Sequence, residues 1–200
     1  MTARLVALGT ALLMLASTPA RAQHGGGAAP PSATRPPREA AQYDFLLGQW
    51  ELTVTPKVSG LAARIHGVPK LRGSWKAWRA LDGWGVEDEL RVVDESGNPR
   101  TFTHFVRIYD QAARRWAIAS VDVYRQQLGR ATAQWQGDAM TTVGEGKDGE
   151  GKAYASRTRL TRITPTGFRY QQDRSYDGGR TWDEALLVID ARRVAATAAR

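Results

Sequence analysis

The chain has 200 residues, no cysteine, and 28 lysines and arginines against 20 acidic residues, a formal net charge of +8. Without cysteine there is no disulfide and no cysteine-borne lipid anchor, so stability has to come from a hydrophobic core. The positive balance suits attraction to anionic surfaces, but acids and bases are interspersed, with no dense Lys/Arg block of the nucleic-acid-binding kind.

Met1–Arg4 is a short basic start, and Leu5–Ala16 is an apolar run with no polar face. A bilayer span needs about 20 apolar residues, so this run is too short to cross. Ala20-Arg21-Ala22 supplies the small residues that signal peptidase requires. Residues 1–22 therefore read as a secretory signal peptide cut between Ala22 and Gln23, which implies a periplasmic or secreted protein. No second apolar stretch approaches spanning length. Residues 23–41, with His24-Gly25-Gly26-Gly27, Pro30-Pro31 and Pro36-Pro37, read as a disordered linker, because they carry too little apolar surface to offset ordering entropy. Every aromatic residue lies between Tyr43 and Trp182. One domain is expected over 42–193, followed by a short Ala-rich tail, 194–200.

Within that domain, strand-like runs follow one another. Trp50–Thr55 alternates with period two. Pro56–Val68 is a polar loop, and Arg72–Leu81 is a second run ended by Asp82-Gly83. Gly85–Val93, Thr101–Tyr109, Arg115–Tyr124, Gly129–Gln136 and a weaker Met140–Gly144 continue the series. Gly144–Gly151 reads as a loop, and Tyr154–Ile163, Phe168–Tyr176 and Trp182–Asp190 complete the set. No stretch holds a helical period over three turns. The fold class implied is all-β, a single antiparallel up-and-down barrel of eight to ten strands, since short connections favour a meander and closure removes its edges.

Gly48-Gln49-Trp50, at the head of the first run, resembles the Gly-x-Trp signature of the lipocalin and wider calycin superfamily. The resemblance implies that Gly48 turns the chain into a lipocalin-like barrel and that Trp50 closes its floor. It also implies that an arginine at the end of the last strand, Arg192 or Arg193, packs across that ring. More of the chain is similar to a family of small exported bacterial proteins whose lipocalin-like domain has no assigned function. That similarity lies in Phe45–Trp50, Tyr109-Asp110, Thr164–Phe168 and Ser175–Trp182. Ser175-x-Asp177-x-Gly179-x-Thr181-Trp182 also matches the Asp-box of sialidases, but it occurs once, with no blade repeat. Turn chemistry accounts for it: Asp177 bonds its own turn, Gly179 supplies backbone freedom and Trp182 packs the hairpin down.

For a site, strand parity is the guide. Trp50, Leu52 and Val54 are expected inward. Parity does not choose between Trp75, Ala77, Arg79 and Ser74, Lys76, Trp78. In the fourth run Phe102, His104, Val106 and Ile108 are taken as inward, because the other face would bury Arg107 at the cost of an uncompensated ion. A pocket lined by Phe102, His104 and Val106 follows, with Asp88 and Tyr124 as polar contacts. Asp88, Asp122, His104 and Tyr124 together would suit isomerase or hydrolase chemistry; solvated strand faces are the simpler reading. One strand histidine makes no zinc site, and no histidine follows His104 to hold haem, so no metal and no cofactor is expected. Arg157, Arg159, Arg162, Arg169 and Arg174 make the last runs basic, a surface that could meet an anionic ligand but reads most simply as solvated. The function expected first is a barrel binding a small apolar or amphipathic molecule. An envelope structural or partner-binding protein with a filled barrel is second, and an enzyme at the barrel mouth third. The oligomeric state is not legible.

Overall fold

The computed structural model describes residues 35–58 and 67–195. The expected signal peptide, residues 23–34 of the expected linker and residues 196–200 of the expected tail lie outside the described residues. The domain opens with a 3-10 helix, Arg38–Leu46. Ten strands follow: β1 Gly48–Pro56, β2 Leu71–Ala80, β3 Gly85–Asp94, β4 Pro99–Asp110, β5 Arg115–Asp122, β6 Gln127–Gln136, β7 Ala139–Lys147, β8 Ala153–Thr161, β9 Gly167–Ser175 and β10 Asp183–Arg193. Each strand pairs antiparallel with its neighbours in sequence, and β10 returns to β1, closing an up-and-down barrel. Pairing satisfies the backbone groups on both sides of every strand and leaves no free sheet edge.

Two boundaries differ from expectation. The linker was expected to reach Ala41, yet the helix begins at Arg38 and buries Ala40. A 3-10 helix has no amphipathic 3.6-residue period to betray it. β7 runs on to Lys147, through glycines read as a loop; Gly146 sits in the strand because Tyr154 on β8 packs over it, 2.6 Å from where its Cβ would stand.

The helix plugs one end of the barrel. Tyr43 and Leu46 on it are fully buried. They meet Trp50, Trp75, Trp116 and Phe168, which fill this end with edge-to-face aromatic contacts, including Tyr43 on Trp116 at 4.7 Å and Trp50 on Phe168 at 4.8 Å between ring centres. Side chains around the rim fasten the plug. Trp50 Nε1 donates to the Leu46 carbonyl at 2.7 Å, and Trp116 Nε1 donates to Gln42 Oε1 at 3.0 Å. Arg79 donates to the Ala40 carbonyl at 2.6 Å and pairs with Asp44.

Arg193 is the latch. It lies opposite Trp50 in the β1–β10 register, with its guanidinium 4.0 Å from the centre of the Trp50 ring. It donates to the carbonyls of Pro165 at 2.6 Å, Leu47 at 2.7 Å and Phe45 at 3.2 Å. Gly48 has φ +114°, and a Cβ there would stand 2.5 Å from Arg193 Nη1. Glycine is needed at this position for both its backbone and the space it leaves.

Candidate functional site

The register fixes which residues face the lumen. Trp50 pairs with Trp75, Trp75 with Leu90, Ala77 with Asp88, and Asp88 with Phe105. Directly opposed residues point to the same side of a sheet. The inner face of β2 is therefore Trp75, Ala77 and Arg79. That of β3 is Val86, Asp88, Leu90 and Val92, and that of β4 is Thr103, Phe105, Arg107 and Tyr109.

This corrects the expected pocket. Phe102, His104, Val106 and Ile108 lie on the outer wall. His104 stands there between Glu87 and Glu89, at 3.7 and 3.9 Å, beside the Trp78 ring. Phe102 packs against Arg91 and Tyr124, and Tyr124 is half exposed in the turn between β5 and β6. Only Asp88 points inward as expected. The physical reason is that Arg107 is not unpaired. Its Nε donates to Asp88 Oδ2 at 2.5 Å, its Nη2 to Oδ1 at 3.0 Å, and Trp75 Nε1 adds a third bond to Oδ1 at 2.8 Å. Burial alone would lower the Arg107 pKa; the adjoining Asp88 charge outweighs it and raises the pKa above the usual arginine value. The proposed acid/base set is thus dispersed. Asp88 is locked in an ion pair, His104 is outside, Tyr124 is at the rim, and Asp122 binds Arg125 at its turn. Replacement of His104 by alanine is expected to change stability by less than about 0.5 kcal/mol, as for an ordinary surface position, and a melting curve checks this.

Beyond the aromatic floor the lumen changes character around its circumference. On β1 and β3, inward Leu52, Val54, Leu90 and Val92 are buried. On β6–β8 the inward residues above the floor include the small Gly129, Ala131, Gly144, Ser156 and Thr158, all only half-buried, with the larger Tyr154 at the start of β8. Next to them β9 directs Tyr170, Gln172 and Arg174 inward. Arg174 lies 4.3 Å from the Tyr154 ring centre, and its Nε is buried with no hydrogen-bond partner. Burial pushes the Tyr170 pKa up, against a Thr158 hydrogen bond and the Arg107 and Arg174 charges, so its hydroxyl stays protonated at neutral pH. The lumen thus has an apolar wall, a polar wall with a cation, and a floor closed by tryptophans.

The outer face of β8–β9 is organised separately. Asp173 is fully buried and accepts from Arg157, Arg159, Gln171 and the Ala185 amide. Desolvation would raise its pKa, but these bonds and charges hold it below the usual carboxylate range. The loop between β9 and β10 bears the Asp-box residues. Ser175 donates to Asp177 at 2.8 Å, and the Thr181 amide and hydroxyl donate to Asp177 at 2.9 and 2.6 Å. Gly179 takes φ +90°, and Trp182 Nε1 donates to its carbonyl at 3.1 Å. The motif is a self-bonded turn. The Thr181 bonds, then that of Ser175, lower the Asp177 pKa to about 2. A depressed carboxylate stabilises above its ordinary pKa and loses that contribution as pH falls toward 2. Carboxyl NMR should show an Asp177 midpoint near 2, and Thr181→Val should raise it; a midpoint at the ordinary aspartate value would contradict the turn geometry.

Among the described residues no group of three or more His, Cys, Asp or Glu side chains is placed to hold a metal ion. A groove of about 780 Å³ runs along the outer wall of β10, β1, β2 and β3, lined by charged residues such as Glu51, Arg72, Arg91 and Arg192.

A closed, plugged, up-and-down antiparallel barrel entered through Gly48-Gln49-Trp50 is a lipocalin-like barrel. Among the solved structures similar to this chain are two of different kinds. One is an S-type phycobiliprotein lyase, CPES, from Guillardia theta, at 12% identity and TM-score 0.48, covering 78% of this chain and 92% of that one. The other is EF1p2_mFAP2b bound to DFHBI, at 11% identity and TM-score 0.40, covering 78% of this chain and 98% of that one. No family model matches the chain, and no curated protein does.

Proposed function

We propose that the protein is an exported container that holds a small amphipathic molecule in its lumen. The observation that carries this reading is the division of the barrel interior. The floor is closed by aromatics, yet inward residues of β6–β9 above it remain half-buried and face an apolar wall on β1 and β3. Ligand sites of this kind combine mostly apolar lining with a few placed polar groups. Export rests on the leader, residues 1–22, and on the motifs resembling small exported bacterial proteins. Native mass spectrometry of protein purified from its own host tests the container: a co-purifying small molecule supports it, and persistently apo protein speaks against it. N-terminal sequencing of the same material should begin at Gln23; an intact Met1 would remove the export reading.

A second reading, a partner-binding protein with a filled barrel, is favoured by one feature of the outer wall. Ile108, Val121 and Leu128 stand exposed on β4–β6, Leu128 at 84%. An oligomeric mass in the same spectra, with no small molecule, would support it.

A further inference from the structure

We propose that the protein pairs with a second copy of itself through the outer wall of β3–β6, about a two-fold axis that runs along the strands between β4 and β5. This pairing goes beyond the container reading: it uses the outer wall alone and holds whether the lumen is filled by side chains or occupied by a guest.

The middle of that wall carries no ionic cover. Its residues are Phe102, His104, Val106 and Ile108 on β4 and Ala117, Ala119 and Val121 on β5. Over these spans the outer face holds no carboxylate, lysine or arginine. Elsewhere the wall is crossed by ion pairs, such as Arg192 with Glu51 and Arg169 with Asp190. Ile108 and Val121 are exposed in the uncharged panel, and Leu128 on β6 extends it. A contiguous apolar panel with a charged rim marks an interaction surface.

The register points to what covers it. Directly opposed residues form rows across the sheet. The central row is Glu87, Val106, Ala119 and Arg130, from β3 to β6. On either side of it Ile108 opposes Ala117 and His104 opposes Val121. Each row is bulkier on β4 than on β5, and the central row has an acid at one end and an exposed base at the other. A half-turn about the proposed axis lays every row on its own reverse. Val106 then meets Ala119 of the partner subunit, Ile108 meets the partner subunit's Ala117, and Glu87 stands opposite Arg130 of the partner subunit. The reciprocal contacts repeat all three, as an isologous interface requires. Among the described residues no carboxylate pairs with Arg130 and no lysine or arginine pairs with Glu87, which has His104 at 3.7 Å. An anionic bilayer would meet Glu87 and Glu89 as like charges, so the division of charge favours a second copy over lipid.

Sedimentation velocity of the purified protein over a dilution series tests the pairing. The unmodified protein should run as a dimer that dissociates on dilution. Glu87→Arg and Arg130→Glu each set like charges face to face at two places in the interface, and each should weaken the dimer at least about tenfold. Both substitutions in one chain should restore it. An equimolar mixture of the two single variants should also associate, because one copy then brings two bases and the other two acids. Ala119→Glu, at an exposed position close to the axis, should abolish the dimer with the circular dichroism of the barrel unchanged, which keeps the test decisive if Glu87→Arg fails to fold. A monomer at every concentration overturns the pairing and leaves the panel to another protein or to lipid. So does a dimer indifferent to Ala119→Glu and to both charge reversals. Single reversals that weaken the dimer, with no rescue in the double variant or the mixture, overturn the two-fold arrangement. Native mass spectrometry reads the lumen separately, so failure here leaves the container standing.

Discussion

Asp88→Ala is expected to lower the unfolding free energy by about 3–5 kcal/mol, the usual cost of stripping one partner from a buried ion pair. The side chain is fully buried and accepts from both arms of Arg107 and from Trp75. Its removal leaves a guanidinium inside the barrel with only Tyr43 Oη, at 3.5 Å, as a polar contact. Replacing both charges, Asp88→Leu with Arg107→Met, should recover most of the loss, because a well-packed apolar pair avoids the desolvation cost altogether. Urea unfolding of the two variants measures this. A single mutant within 1 kcal/mol of the parent, an effect far below the expected range, would mean that the pair is not closed in solution.

Trp50→Ala should cost about 3–5 kcal/mol, the range for truncating a large buried aromatic. The ring is fully buried, meets Phe168 edge to face, carries the Arg193 guanidinium and donates to the Leu46 carbonyl. Arg193→Lys tests the latch separately. A lysine keeps the charge but cannot hold three carbonyls in a planar fork, so it should restore little of what Arg193→Ala removes. If lysine restores full stability, charge and not geometry holds the plug.

The strands were legible because each is a short period-two run between turn residues, and barrel closure followed from their number and short connections. The floor was legible through Gly48-Gln49-Trp50 and a terminal arginine. The inner face of β4 was not. A single strand shows that Arg107 would be costly to bury; it does not show that Asp88, 19 positions earlier, would stand beside it. Register is a property of pairs of strands, and a one-residue slip exchanges the faces. The same limit applied to β2, whose inner face follows only once Ala77 is known to oppose Asp88. Arg174 was hidden differently. It stood among five arginines in the last runs, and only alternation with Phe168, Tyr170 and Gln172 sets it apart. The plugging helix gave no signal because nine residues of 3-10 geometry need no amphipathic stripe.

The latch has a kinetic consequence. Every strand pairing except β1 with β10 joins neighbours in sequence, so nearly all of the sheet can grow by adding hairpins. The last pairing spans the whole domain, and the Arg193 bonds to Leu47 and Phe45 bridge separations of 146 and 148 residues. Such long-range contacts form late, since the loop they close must be ordered first. A chain emerging from synthesis therefore remains an open ribbon, with β1 unpaired along one edge and its plug unseated, until its final strand is available. The arrival of β10 decides when the ribbon becomes a vessel, and a chain cut before Asp183 would keep β1 as an adhesive edge for good.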